Sequence, residues 1–191
     1  MIVRRRTLLF RSGVAGAVAT LGLGAARART SASARRLVLV NTHTGERLDL
    51  EVHAFAAAQA EAHAEGHAKV RAEVRAQIDR LLRDHRTDET HPIDAGVIEQ
   101  LLALRSALEL TTALHVISGY RSPATNARLA AASEGVARSS LHVSGRAIDI
   151  RAPAVPLTRL HAAALALKAG GVGYYARSDF VHLDTGRVRF W

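Results

Sequence analysis

From Leu114 onward the large apolar residues arrive in short bursts: Leu114 to Ser118, Ala147 to Arg151, Val172 to Tyr175, Phe180 to Asp184 and Val188 to Phe190. Stretches this short, bounded by glycine, proline and polar residues, predict strands rather than helices. An earlier pair reads the same way. Leu37 to Val40 leads into a turn over Asn41 to Gly45, and Arg47 to His53 alternates with Leu48, Leu50 and Val52 on one face, which predicts a hairpin. Helical segments separate the strands. Ala56 to about Arg83 is rich in Ala, Glu, Gln and Arg and has no proline, with Val70, Val74, Ile78, Leu81 and Leu82 as an apolar stripe. Asp94 is placed to cap a helix through Leu108 whose Val97, Ile98, Leu101, Leu102 and Leu104 point inward. Ser122-Pro123 opens a short helix ending near Gly135, and Pro156 to Lys168 is a helix stopped by Gly170-Gly171. This order predicts one α+β domain, a mainly antiparallel sheet with helices packed on one side.

The N-terminus has a different character. Arg4-Arg5-Arg6 precede Thr7-Leu8-Leu9-Phe10, an apolar Gly/Ala-rich run extends from Gly13 to Ala26, and Ala26-Arg27-Ala28 offers a small-x-small cleavage site. The layout is that of an export signal over residues 1–28, and the paired arginines resemble a twin-arginine leader. The apolar run is too short to span a bilayer, which needs about 20 residues. Residues 29–35 read as a linker, and 36–191 as the working domain in the periplasm, with no stable membrane span once the leader is removed. The formal net charge is +9, but the leader holds five arginines and no acid, which leaves +4 for the rest. The remaining basic residues are scattered rather than striped, so no nucleic-acid partner is expected.

There is no cysteine, so a disulfide framework, a thiolate nucleophile and a cysteine metal site are all excluded. Any metal must be held by histidine and carboxylate. Of the ten histidines, His53, His85, His91 and His161 stand alone beside loops or on helix surfaces, and His115 lies in an apolar strand. His63 and His67 are four apart on a helix, but the residue after the first is Ala64, not the glutamate that the H-E-x-x-H motif requires. The C-terminal half is more informative. His142 and Asp149 flank the Gly145 turn, and Asp149 lies between Ile148 and Ile150. A carboxylate flanked by apolar residues in a strand is costly unless paired or bound to a cation. In Asp179-Phe180-Val181-His182-Leu183-Asp184, His182 and Asp184 share one face of a strand, with Asp179 at its lip. Two imidazoles and one carboxylate suit a three-ligand metal site with a position left for water. The competing reading of the same residues is a set of buried hairpin salt bridges.

Ser140 to Asp149 fits S-x-H-x-x-G-x-A-x-D and resembles the signature of the zinc D-Ala-D-Ala peptidases. Val172 to Asp184 resembles the group's second metal segment, and Ser118-Gly119-Tyr120-Arg121-Ser122 its upstream arginine segment. With the stretch from Asn41 to Gly45 and the leader, the chain is most similar to the murein endopeptidase K (YcbK-like) branch. The resemblance covers residues 36 to 191 and leaves Phe55 to Ala68 without a counterpart. It implies a hedgehog/D-Ala-D-Ala peptidase-like fold and Zn2+ held by His142, Asp149 and His182. It implies Asp179 as general base, and Arg121 as the group that steadies the substrate carbonyl. Ser140 and Asp184 are implied to orient the ligands. The partner is then peptidoglycan, and the reaction is hydrolysis of its peptide cross-links. A zinc D,D- or L,D-carboxypeptidase is one alternative. Another is a non-catalytic, metal-stabilised peptidoglycan-binding module, as the hedgehog signalling domain suggests. A non-haem iron oxygenase, prompted by His182-Leu183-Asp184, needs a further downstream histidine that the chain lacks.

Overall fold

The computed structural model describes residues 36–51, 65–132, 137 and 139–191, with side chains in the first helix from Ala72 on. The leader, the linker, His53, His63, the side chain of His67, the start of the first helix as read at Ala56 and the helix end near Gly135 lie outside the described residues. Among the described residues, seven strands and four helices follow in the order β1 (Arg36–Asn41), β2 (Arg47–Glu51), α1 (Glu65–Leu81), α2 (Ala95–Ala107), β3 (Leu114–Ser118), α3 (Pro123–Ala132), β4 (Ala147–Arg151), α4 (Leu157–Leu167), β5 (Gly171–Tyr175), β6 (Phe180–Asp184) and β7 (Arg189–Phe190). The strands form one sheet in the order β2-β1-β3-β4-β6-β5-β7. β1 runs antiparallel to β2 as the expected hairpin. β3–β4, β4–β6 and β5–β6 are also antiparallel, while β1–β3 and β5–β7 are parallel. The α+β reading is thus what the structure shows.

Strand periodicity sorts the side chains. Leu37 and Leu39 of β1, Leu114 and Val116 of β3, Ile148 and Ile150 of β4 and Val181 and Leu183 of β6 are all buried in one core. That core is closed by the inner faces of the helices: Ile78 and Leu81 of α1, Val97, Ile98, Leu101 and Leu104 of α2, and Leu160 and Ala164 of α4. Asp94 caps α2, its Oδ1 accepting from Gly96 N at 2.8 Å. Ser122 Oγ accepts from Thr125 N at 3.2 Å, beside Pro123 at the start of α3.

Two polar residues sit in this core where the apolar stripe gave no warning. Gln100 donates to Ala169 O and Asp184 O. Arg105, 2% exposed, donates to the carbonyls of Arg36, Leu110 and Thr112. It joins β1 to the loop after α2, and burial pulls its pKa below the usual value. Sequence periodicity marks faces, not the orphan carbonyls at the ends of elements that a buried guanidinium satisfies.

Candidate metal centre

The residues between the core-facing positions point the other way. In β4 and β6, Asp149 and His182 are direct cross-strand partners, so the antiparallel register alone sets an imidazole against a carboxylate on the open face of the sheet. His142 arrives from outside the sheet, on a one-turn 3-10 helix, Leu141–Ser144. Ser140 begins that turn, its Oγ accepting from His142 N at 3.3 Å. Gly145 ends it in the left-handed region, at φ 66°, where a Cβ would also strike Pro92 O. The S-x-H-x-x-G spacing therefore describes a cap, a turn and a left-handed stop that hold one imidazole over the sheet.

His142, Asp149 and His182 each offer one atom to a group that can hold a metal ion, all within 4.8 Å of one another. His142 Nδ1 lies 2.7 Å from Gly119 O; a carbonyl only accepts, so Nδ1 carries the proton and Nε2 keeps its lone pair. Nε2 is 3.2 Å from both Asp149 Oδ1 and His182 Nδ1. His182 Nδ1 is 2.8 Å from Asp149 Oδ1, and its Nε2 is 3.2 Å from Asp184 Oδ2. Asp184, fully buried, also accepts from Gly171 N, Gly186 N and both terminal nitrogens of Arg189 at 2.7 to 3.0 Å.

The charges follow from these contacts. Burial pushes His142 below its ordinary pKa and keeps it neutral. Burial acts the same way on His182, but the hydrogen bonds its ring donates to the Asp149 and Asp184 carboxylates outweigh it and hold the ring above its ordinary value. Asp149 and Asp184 would be raised by burial, yet their imidazole and arginine partners keep both carboxyls well below the usual range.

Arg121 Nη2 is 2.5 Å from Asp149 Oδ2, and its Nε donates to Ser118 Oγ at 2.9 Å. A register shift between Val116 and Ser118 sets Ser118 opposite Asp149. Asp179 is placed differently. It sits at φ 52° after a short turn, exposed, with Oδ2 3.4 Å from Arg151 Nη1, and it is not among the residues lining the cleft. The structure thus brings together His142, Asp149, His182, Arg121, Ser140 and Asp184, and leaves Asp179 at the rim.

The cleft over the cluster encloses about 240 Å³. Tyr175, Phe180, Arg189 and Trp191 also line it, and sequence reasoning had not selected them. Their only sequence signal is their position within seven residues of His182 or in or just after the last strand. Four further histidines among the described residues lie elsewhere: His43 stacks on His85, His91 on Tyr120, and His161 packs against Tyr174.

An α+β domain with two imidazoles and a carboxylate on the open face of its sheet has the architecture of the zinc D-Ala-D-Ala peptidase group. A family model described as peptidoglycan L,D-endopeptidase MepK matches residues 29–191. The peptidoglycan L,D-endopeptidase MepK of Escherichia coli (strain K12) is 38% identical over 187 residues, spanning 98% of this chain and 96% of the relative. The probable peptidoglycan L,D-endopeptidase MepK of Haemophilus influenzae (strain ATCC 51907 / DSM 11121 / KW20 / Rd) is 36% identical over 188 residues, 98% and 95% of the two chains. The chain belongs to this peptidoglycan L,D-endopeptidase family. No helix among the described residues is long and apolar enough to cross a membrane.

Proposed function

We propose that the chain is a zinc-dependent endopeptidase of peptidoglycan, with His142 Nε2, His182 Nδ1 and Asp149 Oδ1 as the metal ligands. The observation that carries this is the support behind the three donors. A carbonyl fixes the His142 tautomer and a buried carboxylate fixes the His182 ring, which is how metal-binding imidazoles are oriented. The set of two nitrogens and one oxygen suits zinc with a corner left for water. When bound, the ion supplies Lewis acidity and brings the pKa of a water toward neutrality.

The chain's own groups do the rest. Arg121 holds the second oxygen of Asp149, so that Oδ1 faces the two imidazoles. Its guanidinium also lines the cleft, where it can meet a substrate carbonyl as negative charge develops. Asp179 is the proton carrier. Its pair with Arg151 is exposed and therefore weak, so leaving its present position for the cleft costs little. Residues 1–28 act as an export signal, 29–35 as a linker and 36–191 as the peptidase domain. Export to the periplasm by the twin-arginine route is tested by fractionating cells with and without that translocase.

Purified protein incubated with defined cross-linked muropeptides is expected to release new amine. A chelator stops the reaction and added zinc restores it. His142→Ala abolishes both bound zinc and cleavage, whereas Asp179→Asn keeps zinc and loses roughly 10²- to 10⁴-fold in kcat. Cleavage that survives His142→Ala overturns the ligand assignment, and full activity in Asp179→Asn overturns its role alone.

A further inference from the structure

The cleft has one wall that the metal chemistry does not use. Trp191 is 48% exposed, yet its ring is held from several sides. Its Nε1 donates to the Tyr175 hydroxyl at 2.9 Å, the Arg189 guanidinium lies 4.9 Å from the ring, and the His182 ring lies 5.3 Å away at 48°. The backbone is pinned as well: Trp191 N donates to Val172 O at 3.2 Å, and Tyr174 N donates to Trp191 O at 3.0 Å. Beneath the indole is Gly173, where an added Cβ would come as close as 2.7 Å to the ring. Tyr175 and Phe180 stack at 4.5 Å and continue the same wall.

The cation beside it, Arg189, is already matched with Asp184. What this side leaves for a ligand is therefore an aromatic surface, fixed before anything binds. Such a surface rewards apolar contact and loses little entropy in making it. Within a cross-linked peptide stem, D-alanine offers only a methyl group, whereas a diamino acid carries a run of methylenes between its polar ends.

We propose that Trp191, backed by Tyr175 and Phe180, is a specificity residue that receives the methylene arm of the cross-linking diamino acid beside the amide to be cut. This deepens the peptidoglycan endopeptidase reading and rests on it. Trp191 is the chain's single tryptophan, so intrinsic emission reads this wall alone.

The test is stopped-flow tryptophan emission of the zinc-loaded protein mixed with a cross-linked muropeptide, alongside steady-state kinetics of variants. Emission should change saturably before turnover, with a half-point near KM. Trp191→Ala should raise KM about 30-fold, with a far smaller change in kcat and zinc content unaltered. Trp191→Phe should recover most of that loss. Gly173→Ala keeps the tryptophan but displaces it, and should raise KM in the same direction. Hydrolysis with unchanged KM in Trp191→Ala, unchanged emission at saturating muropeptide, or a defect traced wholly to lost zinc would each overturn the assignment. Emission that responds to muropeptide without any amine release would support the Trp191 contact while overturning the hydrolytic reading.

Discussion

Ile148 and Ile150 reach from β4 into the helices, while Asp149 between them reaches the opposite face of the same strand. β6 repeats the division, with Val181 and Leu183 on the helix side and His182 and Asp184 on the other. Both faces are buried here, but they are stabilised by different physics. The helix side is held by apolar area and close packing, where many shapes of similar volume serve. On the open side, each polar group is held by named partners at fixed distances, so removing one leaves others unsatisfied. One strand thus supports a tolerant core and an exacting site at one-residue spacing.

That contrast breaks most sharply in a paired substitution. Asp149→Asn is expected to remove zinc binding and muropeptide cleavage, whereas Ile148→Ala should cost about 3 kcal/mol of stability with zinc content of the folded protein unchanged. Metal analysis and urea unfolding of both variants read the two effects, and a shared loss of metal would erase the distinction between the faces. Asp184→Asn tests whether the partners of a ligand count as part of the site. It keeps the shape but weakens the grip on His182 and Arg189, so zinc affinity should fall roughly 10- to 100-fold. A competitive chelator titration measures it, and an unchanged affinity would confine the site to its three ligands.

A smaller effect sharpens the comparison from outside the sheet. Asp84 is buried and accepts from Ser122 N and Oγ at 2.9 and 2.8 Å, next to Arg121. Burial alone would raise its pKa, but hydrogen bonds from Thr125, Arg86 and Ser122 bring it down from 3.8 to about 2. Because the folded value lies below the unfolded one, the carboxylate's contribution is complete above about pH 4 and is lost as pH falls through about 2, for a total of roughly 2 kcal/mol. Stability followed from pH 6 to pH 2 should therefore show a shallower acid limb in Asp84→Asn than in the parent chain.

Much of this was legible in the residues themselves. The strands of the C-terminal half, the Asp94 cap, the Ser122-Pro123 helix start and the His142 turn all depend on backbone sterics and local hydrogen bonds within a few positions. The shared face of His182 and Asp184 follows from the two-residue period of a strand. Gly119 O, Arg189 and Trp191 were not legible, because their importance comes from what the fold brings beside them. The pairing of Asp179 with Arg151 was not legible either, since Arg151 lies on a neighbouring strand.

The sequence by itself determined which residue types were available and which way each strand and helix would face, because those are short-range consequences of side-chain shape and solvent preference. Only the tertiary structure decided which nitrogen of His142 is free, that Arg121 rests on Asp149, and that an indole walls the cleft. Those outcomes join segments such as Gly119 with His142 and Asp149 with His182. Contacts across such intervals exist only once the sheet register and the packed core have fixed the distance between them.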